Sequence, residues 1–124
     1  MNTMEIWHEV VKSKDPKGLD AIIAEDCIFH SPVIHTPQEG KDLTKLYLAG
    51  AVKVFNDSFH YLKEVVNDDY AILEFVCAVD GITINGVDII SFDDAGKIKE
   101  FKVMIRPMKG VTTMAAKMVE ALND

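Results

Sequence analysis

Apolar residues recur at helical spacing through the first half of the chain and at alternate positions through most of the second, with the change near Phe59. Ile6, Val10 and Val11 with Trp7 predict an amphipathic helix over residues 3–13, and Asn2 with Glu5 forms a capping box ahead of it. Asp15 caps a second helix. Pro16 suits its first position, and Leu19, Ile22 and Ile23 make one apolar stripe before "EDC" ends the element. "CIFH" then reads as a strand that stops at Ser31-Pro32, because proline donates no ladder hydrogen bond and pushes its predecessor out of the helical region. After the loop "VIHTPQEG", the series Leu43, Leu46, Tyr47, Gly50, Ala51, Val54 and Phe55 predicts a third helix of roughly four turns.

The period then falls to two. "FHYLKEVV", "YAILEFVCAV", "ITINGVDIISF" and "KIKEFKVMI" are separated by "NDD", "DG" and "DDAG", which predicts an antiparallel meander. A last helix, "GVTTMAAKMVEALN", carries Val111, Met114, Ala115 and Met118 as its stripe. If Asp80-Gly81 is a two-residue turn, Val79 pairs with Ile82, Cys77 with Ile84, Phe75 with Gly86 and Leu73 with Asp88, all on one face. That parity sets Asp88 among apolar neighbours. The opposite face, with Ile72, Glu74, Val76, Val87 and Ile89, is apolar enough to need cover, so a homodimer through the outer sheet face is expected.

The 124 residues suit a single domain, 1–124, with 48% hydrophobic and 27% charged residues and no low-complexity tract. A net charge of −7 opposes capture of nucleic acid or anionic lipid, and no basic stripe appears. The opening "MNTMEIWHEVVKSKD" is too charged and too short of apolar run for a signal peptide or a membrane span, so the protein is expected in the cytoplasm. Cys27 and Cys77 are too few for a disulfide framework and read as thiols.

The opening "DPKGLDAIIAEDCIFHSPV", the helix led by Gly40 and the ending "GVDIISFDDAGKIKEFKVMIRP" resemble the nuclear transport factor two-like superfamily, in particular its SnoaL-like and ketosteroid-isomerase-like branches. The resemblance covers nearly the whole chain. It implies an α+β fold in which a strongly curved antiparallel sheet wraps around the N-terminal helices as a cone, a cystatin-like α+β barrel with a conical cavity. The same scaffold hosts isomerases, cyclases, dehydratases, hydrolases and non-catalytic ligand binders. Set against the ketosteroid isomerases, whose site combines an Asp base, an oxyanion-hole Tyr and a protonated Asp, Asp88 matches the protonated Asp. Ser31 of "HSP" stands where the base belongs and Trp7 where the oxyanion Tyr belongs. Two of three groups differ, which speaks against steroid isomerisation by that route.

The candidate catalytic residues are therefore Asp88, as a neutral acid raised by burial, and His30 or His35 as the base near neutral pH. Asp88 also reads as a wall residue paired with Trp7, Tyr47 or a backbone amide. Alternation turns His30 away from the side of Ser31, and His35 lies in a loop. Trp7, Ser31, Tyr47, Phe55, Phe75, Cys77 and Phe101 are the candidate pocket lining, since a curved sheet does not fill its own cone. Ser31, His30 and Asp88 make a formal triad without the strained elbow that exposes a nucleophile. The His and Cys residues lack metal-ligand spacing, so no metal or other cofactor is expected. Two functions follow: a small-molecule pocket protein acting on a small hydrophobic carbonyl compound as isomerase, cyclase or dehydratase, or a non-catalytic binding or interaction module. A carboxyl and an imidazole sharing one pocket favour the first, and an apolar pocket around Asp88 favours the second.

Overall fold

The computed structural model describes residues 2–123. Helix α1 spans Thr3–Ser13, and the Asn2 side chain accepts from the Glu5 N–H at its start. Asp15 caps a single 3-10 turn, Pro16–Gly18, and α2 is one turn only, Leu19–Ile22. The strand β1 begins at Ile23 and runs to His30, four residues ahead of the expected "CIFH". The apolar stripe of the second helix thus ends inside a strand. Ile23 pairs with Ile98, and its β-branched side chain is as well placed on a pleated surface as on a helix.

A two-residue strand β2 (Gln38–Glu39) lies within the loop and pairs with β1. Helix α3 spans Lys41–Val54. The strands β3 (His60–Val66), β4 (Tyr70–Val79), β5 (Ile82–Phe92) and β6 (Ile98–Arg106) follow, and α4 (Met108–Leu122) closes the order. The sheet has six strands in the order β2-β1-β6-β5-β4-β3. Its β3–β6 meander is antiparallel, but β1 joins β6 in parallel, so the sheet as a whole is mixed. A parallel partner needs a long crossover, which α3 and the meander supply.

The β4–β5 register is the one that parity predicts, with Cys77 opposite Ile84, Phe75 opposite Gly86 and Leu73 opposite Asp88. The reason is local. Asp80 (φ 52) and Gly81 (φ 77) both take the left-handed conformation that a two-residue hairpin turn requires. Gly86 serves close packing: a Cβ there would lie 2.4 Å from Phe75 Cζ and 2.7 Å from the Met104 carbonyl oxygen. On the inner face, Trp7, Leu19, Ile22, Leu73, Ile90, Ile98 and Phe101 form one core cluster, and Phe75, Cys77, Val79, Ile84 and Met114 form a second. Among the described residues no helix is long and apolar enough to cross a membrane.

Candidate functional site

Between these two clusters lies a cavity of about 340 Å³. Two helical stripes cover it: Tyr47, Leu48 and Ala51 from α3 with Phe55 at its C-terminal cap, and Met114, Ala115, Met118, Val119 and Leu122 from α4. Each is one face of its helix, built on the i, i+4, i+8 series Tyr47, Ala51, Phe55 and Met114, Met118, Leu122 with neighbours one position on. The floor is the inner sheet face, where Phe75, Asp88, Phe101 and Val103 project, and the bend Ser31–Ile34 after β1 completes the wall.

Of the pocket residues expected from the sequence, Trp7, Ser31, Tyr47, Phe55, Phe75 and Phe101 line this cavity together with Asp88. Cys77 does not. It is buried two residues nearer the β4–β5 turn, with its sulfur 3.5 Å from Ser58 Oγ and 3.7 Å from Asn56 Oδ1. Neither imidazole reaches the cavity lining either. Alternation along β1 turns Phe29 inward and His30 to the other face, where His30 Nε2 lies 3.1 Å from Glu100 Oε2. His35 is exposed in the loop before β2. The structure therefore brings neither His30 nor His35 to Asp88. Ser31 Oγ accepts from the Val33 N–H at 3.1 Å, a local turn bond with no base beside it. Among the described residues no group of three His, Cys, Asp or Glu side chains is arranged to hold a metal ion.

Asp88 is the centre of the polar part. It is 5% exposed, and burial raises its carboxyl to about 7, while the hydrogen bond from Tyr61 opposes the rise. Tyr61 donates to Asp88 Oδ2 at 3.0 Å and accepts from Trp7 Nε1–H at 2.9 Å. The indole N–H is thus committed to Tyr61 rather than to Asp88. Burial, and then the charge of Asp88, hold the Tyr61 hydroxyl well above its ordinary range, so it stays a neutral donor.

Tyr61 is the residue that sequence reasoning missed, and the ladder explains why. Val66, Val65 and Glu64 pair with Ala71, Ile72 and Leu73; continued without a break, that register sets Tyr61 opposite outward-facing Val76. An irregularity between Tyr61 and Glu64 moves it opposite inward-facing Phe75 instead. One slipped residue exchanges the faces. The only signal in the sequence was one aromatic in the run "HYLKEVV".

Comparison with known proteins gives the same architecture. The structure is similar to a steroid delta-isomerase from Pseudomonas aeruginosa, with 32% identity, a TM-score of 0.92, and coverage of 98% of this chain and 89% of that one. It is also similar to an uncharacterised protein with a cystatin-like fold from Silicibacter pomeroyi, at 30% identity and a TM-score of 0.87, covering 95% of this chain and 83% of that one. The epoxide hydrolase/cyclase-like enzyme SalBIII shares the fold alone, at 16% identity and a TM-score of 0.63, covering 87% and 92%. A search of curated protein sequences returned no match. The model of the SnoaL-like domain matches residues 4–101, a span that carries Trp7, Tyr47, Tyr61 and Asp88 and every strand of the sheet up to Phe101 on β6, and the chain belongs to that family.

Proposed function

We propose that the chain binds a small, largely apolar molecule bearing a carbonyl group inside the cone, and that neutral Asp88 holds the carbonyl oxygen. The observation that carries this reading is a buried carboxyl on an apolar cavity wall, with one oxygen engaged by Tyr61 and a carboxyl value raised to about 7. Neutral acids of this kind are hydrogen-bond donors matched to carbonyl and enolate oxygens. The steroid delta-isomerase similarity supports a flat, fused-ring ligand.

Binding is better supported than fast catalysis, because no imidazole and no second carboxylate lines the cavity among the described residues. A second reading, slow proton transfer of the isomerase, cyclase or dehydratase kind, draws support from Asp88 alone. A carboxyl near 7 takes and returns a proton at comparable cost. No cofactor enters either reading.

Fluorenone, a flat tricyclic ketone, tests the proposal by calorimetry. It should bind the wild type and Asp88→Asn with similar affinity and Asp88→Leu about tenfold more weakly, the worth of one net hydrogen bond. Wild-type affinity should fall as the pH rises through about 7, because the carboxylate no longer donates. Equal binding by Asp88→Leu reduces Asp88 to a wall residue.

The outer sheet face supports a homodimer. Val65, Tyr70, Ile72 and Met104 are exposed there beside half-buried Val87 and Ile89. Sedimentation velocity should show a dimer, and a monomer at all concentrations overturns this part of the reading.

A further inference from the structure

We infer that Trp7 is a positioning residue whose donor-only indole sets the direction of the chain Trp7–Tyr61–Asp88, so that neutral Asp88 presents its proton to the cavity and the site selects hydrogen-bond acceptors. The inference rests on the reading of Asp88 as the group that holds the ligand. An indole N–H donates and never accepts. Tyr61 Oη lies 2.9 Å from it and must therefore be the acceptor of that bond. A phenol has one proton, and the Tyr61 proton goes to Asp88 Oδ2 at 3.0 Å. Oδ2 is thus an acceptor in both ionisation states. In the neutral acid the carbonyl oxygen is the stronger acceptor, so the Tyr61 bond favours Oδ2 as the carbonyl and the proton on Oδ1, which has no hydrogen-bond partner among the described residues while the side chain lines the cavity.

Had residue 7 been a Tyr or Ser, each able to donate or accept, the chain would run in either direction and the carboxyl proton could turn toward Tyr61. With Trp it runs one way. The groups around Asp88 add no competing charge. Tyr61 from β3 is a neutral phenol, Tyr47 from α3 lines the cavity without a hydrogen bond to Asp88, and α1 and α4 present Trp7, Met114 and Met118. His8 and Glu64 stand beyond Tyr61, with the His8 ring edge-on to it at 5.7 Å. The ligand class that fits is an acceptor without a donor at the same end: a ketone, an aldehyde, an ester or an enone.

The test uses two flat tricycles of nearly equal size: fluorenone offers only an acceptor and carbazole only a donor. Below pH 7 the wild type should prefer fluorenone by about tenfold. Replacing Trp7 by its benzothiophene isostere, which keeps the shape and loses the N–H, should bring the preference to about threefold or less. Asp88→Asn should keep the preference, because the Tyr61 proton holds the amide oxygen and leaves the amide N–H for the cavity. If the isostere fails to fold, Tyr61→Phe breaks the same chain and should lose the same preference.

A ligand-free readout accompanies these. The Asp88 carboxyl, followed by carbon NMR, should titrate at higher pH in the isostere and higher still in Tyr61→Phe, because the bond that favours the carboxylate is weakened and then removed. An unchanged preference and an unchanged titration in the isostere overturn the role of Trp7 and leave the carbonyl-binding reading standing. Failure of fluorenone to bind the wild type overturns that reading, and the carboxyl titration then decides the role of Trp7 by itself.

Discussion

Toward the β5–β6 turn, Leu19, Ile22, Ile23, Leu73, Ile90 and Ile98 are at most 1% exposed and pack against α1 through Trp7 and Val10. Toward the β4–β5 turn, Phe75 and Ile84 are also buried, but their cover is looser: half-buried Phe55, Phe59 and Met118 with Met114. Both regions use the same inner sheet face. The difference lies in what covers it. Branched Leu and Ile side chains of α2 and the start of β1 cover the first region, whereas α4 closes the second with unbranched, flexible methionines. The cavity is the volume this second cover leaves. Tyr61 and Val103 pack against both clusters, and along β5 the inward series Ile84, Gly86, Asp88, Ile90 places the carboxyl at their junction. A polar group is tolerated there because Tyr61 satisfies one oxygen and the cavity receives the other.

The largest expected effect tests that junction. The folded chain holds a proton on Asp88 up to about pH 7, whereas an ordinary aspartate releases it near 3.8. The folded state thus binds the extra proton between these values, and this contribution to stability falls as the pH rises from about 4 to about 7, by roughly 4 kcal/mol, and is constant above. Asp88→Asn lacks it. Urea unfolding of the two proteins across that window should show the variant gaining on the wild type by that order, and parallel curves would place Asp88 in a far more polar setting.

Next in size is the contrast between the two covers. Leu73→Ala should cost about 3 kcal/mol, since the closely packed region cannot collapse around the lost atoms. Gly86→Ala, between the two regions, should cost about 2 kcal/mol, because Phe75 and the Met104 carbonyl both stand in the way of a Cβ. Met118→Ala should cost only about 1 kcal/mol, since its half-buried side chain already borders open volume. It should also raise affinity for ketones bulkier than fluorenone. Thermal or urea unfolding ranks the three, and equal costs for Leu73→Ala and Met118→Ala would mean that the two covers are packed alike.

Much of this was readable from the sequence by itself. Period and turn chemistry determined the helices α1 and α3, the four strands of the meander, and through Asp80-Gly81 the β4–β5 register that turns Asp88 inward. These are local matters, set by side-chain spacing and by which residues accept a positive φ. Only the tertiary structure decided the rest. Ile23 became strand because β6 was there to pair with it, and β1 joined in parallel, which no local pattern announces. His30 was paired with Glu100 on the far face, and neither it nor His35 reached the cavity. Above all, the slip between Tyr61 and Glu64 brought Tyr61 under Trp7 and onto Asp88. A bulge depends on how two strands twist against their neighbours, and that is a property of the assembled sheet rather than of the seven residues of β3.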